Sequence, residues 1–420
     1  MGKSITITAV CGSFLAAAPA IGQAPSGVPP IERVESLQLL ELARQTVTLH
    51  PEVLAAAAAV DASSAMRDAM ARPLFNPEFA LEFEDRVHET RILAVNQTLD
   101  ISGRRAARTS AAGHDRDRAA AELAGVRRRI AGELLYLLGD YWTAMSQDAL
   151  AETRIDLMGA FAELTLQRRQ AGDLTQVELN SANLAYAQAE VAHATAESAL
   201  AAADQALRAV APSPAPAAWP TLPLELQPVP GDPGMVERLL AELPELRARQ
   251  AEVARARATV DLRVRERRPA PTVTLGAGEE DQEHYLALAF TMPLNIRNRY
   301  NHEIAAARAE LSLFERAAEN TRVRARHRML AAGERYRHTR EAWLSWQRSG
   351  EPNQTQQADL LERLVQAGEL STTDYLVQLN QTLDAAMDAL ELRREFWRAW
   401  FEWLDASGQI DAWLGLDTGG

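Results

Sequence analysis

The sequence predicts a mainly α protein with a small β part: an internal duplication of long coiled-coil helical hairpins, with two β-hairpins per chain. Three observations lead there. Short matches recur in order at nearly one offset, His50-Pro51-Glu52-Val53 with Leu243-Pro244-Glu245-Leu246, Leu99, Ile101 and Arg104 with Leu294, Ile296 and Arg299, and Ala171-Gly172-Asp173-Leu174 with Ala367-Gly368-Glu369-Leu370. Ordered matches spaced by about 195 residues mark a duplicated unit. Phe79-Ala80-Leu81-Glu82-Phe83-Glu84 alternates strictly between apolar and other residues, as a strand with one apolar face does. After Gly103 no proline appears until Pro212, and Leu123, Val126, Ile130, Leu134, Leu137 and Tyr141 keep the 3-4 spacing of a coiled-coil seam.

Residues 1–20 read as a secretory signal peptide: Lys3, an apolar run from Ile5 to Ala18, then the small-x-small site Ala18-Pro19-Ala20. Cys11 lies inside that run behind Val10 and reads as an apolar residue, not a lipidation site. Cleavage leaves no cysteine, so packing and not disulfides or thiolate ligands must hold the fold. Beyond the signal there is no apolar run of about 18 residues, which excludes an ordinary membrane-spanning helix. A formal charge of −13 disfavours nucleic acid as a partner, since phosphate binding needs clustered cations. The arginine runs at 127–129 and 322–328 sit beside acids in helical patterns and read as solvated helix faces.

In order, residues 21–50 form an N-terminal segment, and the first repeat spans 51–210. It opens with an alanine-rich helix from Pro51 to Arg72, closed by Pro73 and Pro77. A β-hairpin follows over 79–99, with Leu93, Val95 and Leu99 sharing a face. A long helix over 103–170, roughly 100 Å at 1.5 Å per residue, then turns at Gly172. The return helix, 174–209, offers a seam through Val177, Leu184 and Val191. A proline-rich linker spans 211–243; eight prolines between Pro212 and Pro233 forbid regular structure there. The second repeat, 244–405, has a helix to Arg268, a hairpin over 272–292, a long helix over 299–366 and a return helix over 371–405, before the tail 406–420. Its return seam runs through Leu376, Leu379, Leu383, Met387, Leu390, Trp397 and Leu404. Pro352 within the second long helix predicts a kink between Arg348 and Asn353.

A signal peptide, two copies of helix, hairpin, long helix and return helix, and a proline-rich midpoint together resemble the TolC-type outer-membrane efflux channels, the outer membrane factors. The resemblance covers essentially the whole mature chain. It is carried by the strand-to-helix junctions Thr98 to Arg105 and Pro293 to Tyr300 and by the turns at Gly172 and Gly368. Their wording is most like the heavy-metal cation efflux branch. The resemblance implies a homotrimer forming an α/β barrel channel, a passive duct in the outer membrane of a Gram-negative bacterium with a long periplasmic portion. Its implied partners are a periplasmic adaptor, or membrane fusion protein, an inner-membrane pump of the resistance-nodulation-division type, and outer-membrane lipid. Physics points the same way, because four strands cannot close a barrel and an open edge in lipid leaves backbone groups unsatisfied.

On that reading Phe79, Leu81, Phe83, Leu286, Leu288 and Phe290 face lipid while Glu82 and Glu84 face water. The turns, with Gly172, Leu174, Gly368 and Leu370, are the expected adaptor-docking tips. Asp374, six residues after Gly368, and Glu178, at the equivalent place after Gly172, resemble the acidic ring that narrows the family's periplasmic entrance, with Asp173 nearby; the further acid one turn on is Val377 here. The plainer reading is that an acid at a helix N-terminus only favours the helix dipole, worth about 0.3–1 kcal/mol. The eight histidines show no ligand-like spacing, no nucleophile motif or phosphate loop appears, and no cofactor, metal site or enzyme is expected. The aromatic run Phe396, Trp397, Trp400, Phe401 and Trp403 reads as core packing against the linker collar, as do Trp343 and Trp346. Rival functions are a drug-efflux or type I secretion channel of the same fold, and a soluble periplasmic coiled-coil scaffold, against which the amphipathic hairpins argue.

Overall fold

The computed structural model describes residues 31–85, 89–212, 214–229, 233–280, 283–366 and 371–416; the expected signal peptide lies outside them. Two helices, α1 (Leu37–Leu49) and α2 (Pro51–Met70), lead into strands β1 (Glu78–Asp85) and β2 (Glu89–Thr98). The helix α3 then runs unbroken from Arg104 to Ala171, 68 residues, and α4 (Gln176–Val210) returns. An irregular segment leads to α5 (Pro233–Glu242) and α6 (Pro244–Glu266), then β3 (Thr272–Glu280) and β4 (Glu283–Thr291). The second long helix is α7 (Asn301–Ser345) continued by α8 (Glu351–Gln366), and α9 (Thr372–Ser407) and α10 (Ile410–Trp413) close the chain. Helices α2 and α4 both lie along α3, which also packs on α6 and α9, so the two repeats interlock instead of standing apart.

Each boundary has a local cause. Pro51 and Pro244 each stand in the first turn of a helix, where the missing N–H removes nothing. Helix α3 ends at Gly172 with φ +90, whose N–H bonds Arg169 O at 3.1 Å while Asp173 N–H reaches Arg168 O at 3.0 Å. A residue with a Cβ would resist that left-handed conformation. Between α7 and α8 the chain widens by one residue over Trp346–Gly350, so that Glu351 N–H bonds Trp346 O. Pro352 has no N–H to give and crowds the turn before it, and the wider turn absorbs this without breaking the helix. Gly350 makes it possible, since a Cβ there would stand 2.2 Å from the Trp346 ring.

The core lies at mid-height, where the irregular segment, α1, α5 and α10 wrap the long helices. Side chains of the helices bond the carbonyls of the segment: Trp142 Nε1 donates to Pro220 O, Trp397 Nε1 to Pro223 O and Tyr336 Oη to Gln227 O, each at 2.8 Å. Proline-rich backbone thus finds donors without a ladder. Phe396, Trp397, Trp400, Phe401, Trp403 and Trp343 are buried in this core, as expected of packing residues, and Trp346 packs against it half-buried.

Two segments hold structure the sequence reading did not specify, and two expectations need correction. The N-terminal segment holds α1, with Leu39, Leu42, Ala43 and Val47 buried in the central core. The tail is packed, with Ile410, Trp413 and Leu414 buried and Trp413 O accepting Val34 N–H at 3.1 Å. On α4 the seam is elsewhere: Leu179, Ala182, Ala189 and Leu207 are buried, while Val177, Leu184 and Val191 are 72%, 61% and 68% exposed. The apolar heptad stripe was real, but within one chain nothing covers it. The arginine runs are not simply solvated. Arg128 is buried, with Nε 3.3 Å from Asp405 Oδ1, and Arg322, Arg326 and Arg328 reach across to Glu237 and Glu245.

Candidate membrane belt, junctions and helical tips

The four strands form one antiparallel sheet in the order β1-β2-β3-β4, so the two hairpins join through β2 and β3. The register aligns Phe79, Val95, Leu275 and Leu288 in one row and Leu81, Leu93, Ala277 and Leu286 in the next. One face is therefore apolar across all four strands. Phe79, Leu81, Phe83, Leu286, Leu288 and Phe290 are all exposed on it, Leu286 at 84%. The opposite face carries Glu82, and on β2 and β3 Thr98 meets Thr272 at 2.8 Å and Thr274 donates to Asn96 at 2.6 Å. Ala94 and Gly276 are buried there. The Glu84 side chain lies outside the described residues. An apolar face bared to solvent and two edge strands, β1 and β4, with no outer partner among the described residues make a sheet that is incomplete in a single chain.

At the first junction Gly103, at φ +72, starts α3, and the Asp100 carboxylate accepts Arg104 N–H at 3.0 Å, Arg105 N–H at 2.8 Å and the Ser102 hydroxyl at 3.1 Å. Burial pushes the Asp100 carboxyl up, but these bonds and the Arg104 charge outweigh it and hold the group below its ordinary value. Arginines then serve the ends of the two short helices. Arg104 donates to Glu266 O at the end of α6 and to Arg268 O just past it, while Arg108 donates to Met70 O at 2.8 Å at the end of α2 and to Arg72 O at 2.6 Å just past it. Cations there satisfy orphan carbonyls and the helix dipole together.

The second junction is built differently. Asn298 Oδ1 accepts Tyr300 N–H at 2.9 Å and its amide donates to Glu303 at 3.1 Å, and Tyr300 itself takes the left-handed position at φ 57. The sequence match of Arg104 with Arg299 therefore slips: Arg104 begins a helix, whereas Arg299 precedes one by two residues. The roles of Asp100 and Arg108 were missed in the sequence, where the signal was an acid three residues before a glycine and an arginine one turn inside the helix.

At the tips, Gly172 has open space around it, and Asp173 is exposed with Leu174 half-exposed. Glu178 closes a reciprocal cap with Thr175: the Thr175 N–H and hydroxyl donate to its carboxylate at 2.7 and 2.8 Å, and Thr175 Oγ1 accepts Glu178 N–H. Those bonds hold the Glu178 carboxyl below its ordinary value. Asp374 does the same for α9, accepting the Ser371 hydroxyl at 2.7 Å and donating its N–H back at 3.1 Å. Gly368 and Leu370 lie outside the described residues. Among the described residues no group of three His, Cys, Asp or Glu could hold a metal, and no helix is long and apolar enough to cross a membrane.

This architecture superposes on solved outer-membrane channels along nearly its whole length. A structure of CusC, studied for the changes that accompany folding and transmembrane channel formation, matches with a TM-score of 0.75 and 15% identity over 93% of this chain and 99% of that one. The chain has the TolC-type channel fold. The outer-membrane channel OprN matches at 0.74 and 18% identity over 95% and 99%, and the CmeC outer membrane channel of Campylobacter jejuni at 0.74 and 12% over 89% and 86%. In sequence, a stretch of 122 residues is 31% identical to the cobalt-zinc-cadmium resistance protein CzcC of Cupriavidus metallidurans, spanning 29% of each chain. That stretch carries the likeness to the heavy-metal branch. No family model matches the sequence.

Proposed function

We propose that this chain is one of three identical protomers of an outer-membrane duct, through which an inner-membrane pump and a periplasmic adaptor export heavy-metal cations. The observation that carries the duct is the sheet: an uncovered apolar face four strands wide, two unpaired edges, and polar groups on the other side. In lipid, unpaired edges cost several kcal/mol per orphan group, and pairing β1 of one copy with β4 of the next removes them. Three copies give a closed barrel of twelve strands, with the polar face lining water. Helix α3 then carries the Gly172 turn roughly 100 Å from the membrane, where an adaptor would dock with Gly172, Leu174, Gly368 and Leu370. The sequence likeness to CzcC supports the metal cargo.

In this reading Asp374, with Glu178 and Asp173 nearby, narrows the entrance. Like charges repeated about a threefold axis repel, and cations that neutralise them favour closure. That Asp374 and Glu178 also bond the N-cap residues of their own helices fixes their position without consuming their charge. Conductance across a planar bilayer tests both levels, with a trivalent cation added on the periplasmic side. Open pores are expected from the wild type, with block that weakens in Asp374→Asn. No conductance would overturn the duct; equal block of both proteins would overturn the gate alone.

A further inference from the structure

The apolar face of the sheet does not stop where the sheet stops. On β2 the outward positions Leu93, Val95 and Gln97 continue past the last paired residue as Leu99 and Ile101; on β4, Leu286, Leu288 and Phe290 continue as Met292, Leu294 and Ile296. The period of two is kept in the sequence, although Ile101 and Ile296 lie in the turns that follow the strands. The added residues are bare, with Ile101 65%, Leu294 70% and Ile296 71% exposed.

Height gives this overrun a meaning. From Leu286 to Phe290 a strand rising about 3.4 Å per residue and tilted by about 40° climbs only about 10 Å, against the roughly 25 Å apolar band of an outer-membrane barrel. The far end of the sheet cannot make up the difference, because Glu279, Glu280, Glu283 and His284 stand there. Past the end of β4, Leu294 and Ile296 add bare apolar surface on that side, where the chain turns and Ile296 N–H bonds Leu294 O at 2.9 Å. Immediately beyond it come Arg105, Arg297 and Arg299, exposed, with no acid paired to their guanidiniums among the described residues.

We propose that the two junctions form a phospholipid-binding rim: Ile101, Leu294 and Ile296 enter the acyl boundary of the periplasmic leaflet, and Arg105, Arg297 and Arg299 hold the phosphates of anionic glycerophospholipids. The chemistry is that of an interfacial anchor, apolar residues buried at the headgroup boundary with cations above them. It rests on the reading that the sheet face meets lipid.

Single cysteines test the depth, introduced one at a time as Phe290→Cys, Ile296→Cys and Leu313→Cys in the processed protein and spin-labelled in phosphatidylethanolamine vesicles containing phosphatidylglycerol. Labels at 290 and 296 are expected to be open to oxygen and closed to a water-soluble nickel complex, with the reverse at 313 on α7. Water exposure at 296 with lipid exposure at 290 overturns this inference alone; water exposure at both overturns the lipid-facing sheet as well. A label at 296 closed to both agents means that a second copy covers it, which also overturns the inference. For the headgroups, phosphatidylglycerol is expected to raise the thermal midpoint above that in phosphatidylethanolamine alone. Affinity for it falls about fivefold per arginine lost in the series Arg105→Gln, Arg297→Gln, Arg299→Gln, while Arg299→Lys keeps most of it. An undiminished gain in the triple variant overturns the headgroup role; if that variant does not fold, a wild-type gain that persists in high salt does so instead.

Discussion

Asp100 and Gly103 show how few atoms set the strand-to-helix turn. A methyl at Gly103 would meet a left-handed backbone and stand 2.6 Å from Arg265 Nη1, which donates to the carbonyls of Ser102 and Gly103. Gly103→Ala is expected to cost about 1–2 kcal/mol, and Tyr300→Gly, which relieves the same conformation at the second junction, to add about 1 kcal/mol. Opposite shifts of the thermal midpoint of the detergent-solubilised protein check the pair. Asp100 predicts a pH dependence as well. Its folded carboxyl lies below the unfolded value near 3.9. The stabilisation is therefore complete above that value and is lost as pH falls through the folded one. Asp100→Asn keeps an acceptor oxygen but no charge, so the stability difference from wild type should be present at neutral pH and shrink below about pH 4. A difference independent of pH would contradict the assignment.

At the scale of elements the informative contrast is between two helical glycines. Gly350 lies beneath the Trp346 ring, whereas Gly113 on α3 has nothing within 4 Å of where a Cβ would stand. Gly113→Ala is expected to gain about 0.5–1 kcal/mol from propensity alone, and Gly350→Ala to lose stability, because the indole must leave its place. Unfolding midpoints measure both, and a gain at 350 would show that the widened turn adapts freely. Pro352 made a break legible in the sequence, but not its form. Whether the chain kinks or inserts a residue depends on what packs at 346 and 350, and periodicity carries no record of that.

For the whole molecule, the stripe Val177, Leu184 and Val191 explains both a misreading and a prediction. Heptad spacing on α4 marks a face that avoids water, and it is silent about which chain supplies the cover. The single chain covers another face, through Leu179, Ala182 and Ala189. If three copies assemble as proposed, the bare stripe is buried between them. Leu184→Glu with Val191→Glu should then leave helix content by circular dichroism unchanged and halt assembly at monomers, as read from the mass in detergent. A trimer of undiminished stability would place the stripe in solvent.

The sequence by itself determined the repeated elements. Alternation at 79–84 could only be a half-bare strand, and a proline-free seam of 3-4 spacing could only be a long helix. The repeat offset placed the second copy. These are local properties, since periodicity and backbone constraints act within a few residues. Tertiary structure decided which residues of distant repeats meet. It joined the hairpins through β2 and β3, packed α1 and the tail into one core, and set Arg104 and Arg108 on the carbonyls at the ends of α6 and α2. Such contacts depend on the register of long helices against one another, which many distributed packing terms fix together and which no short stretch encodes.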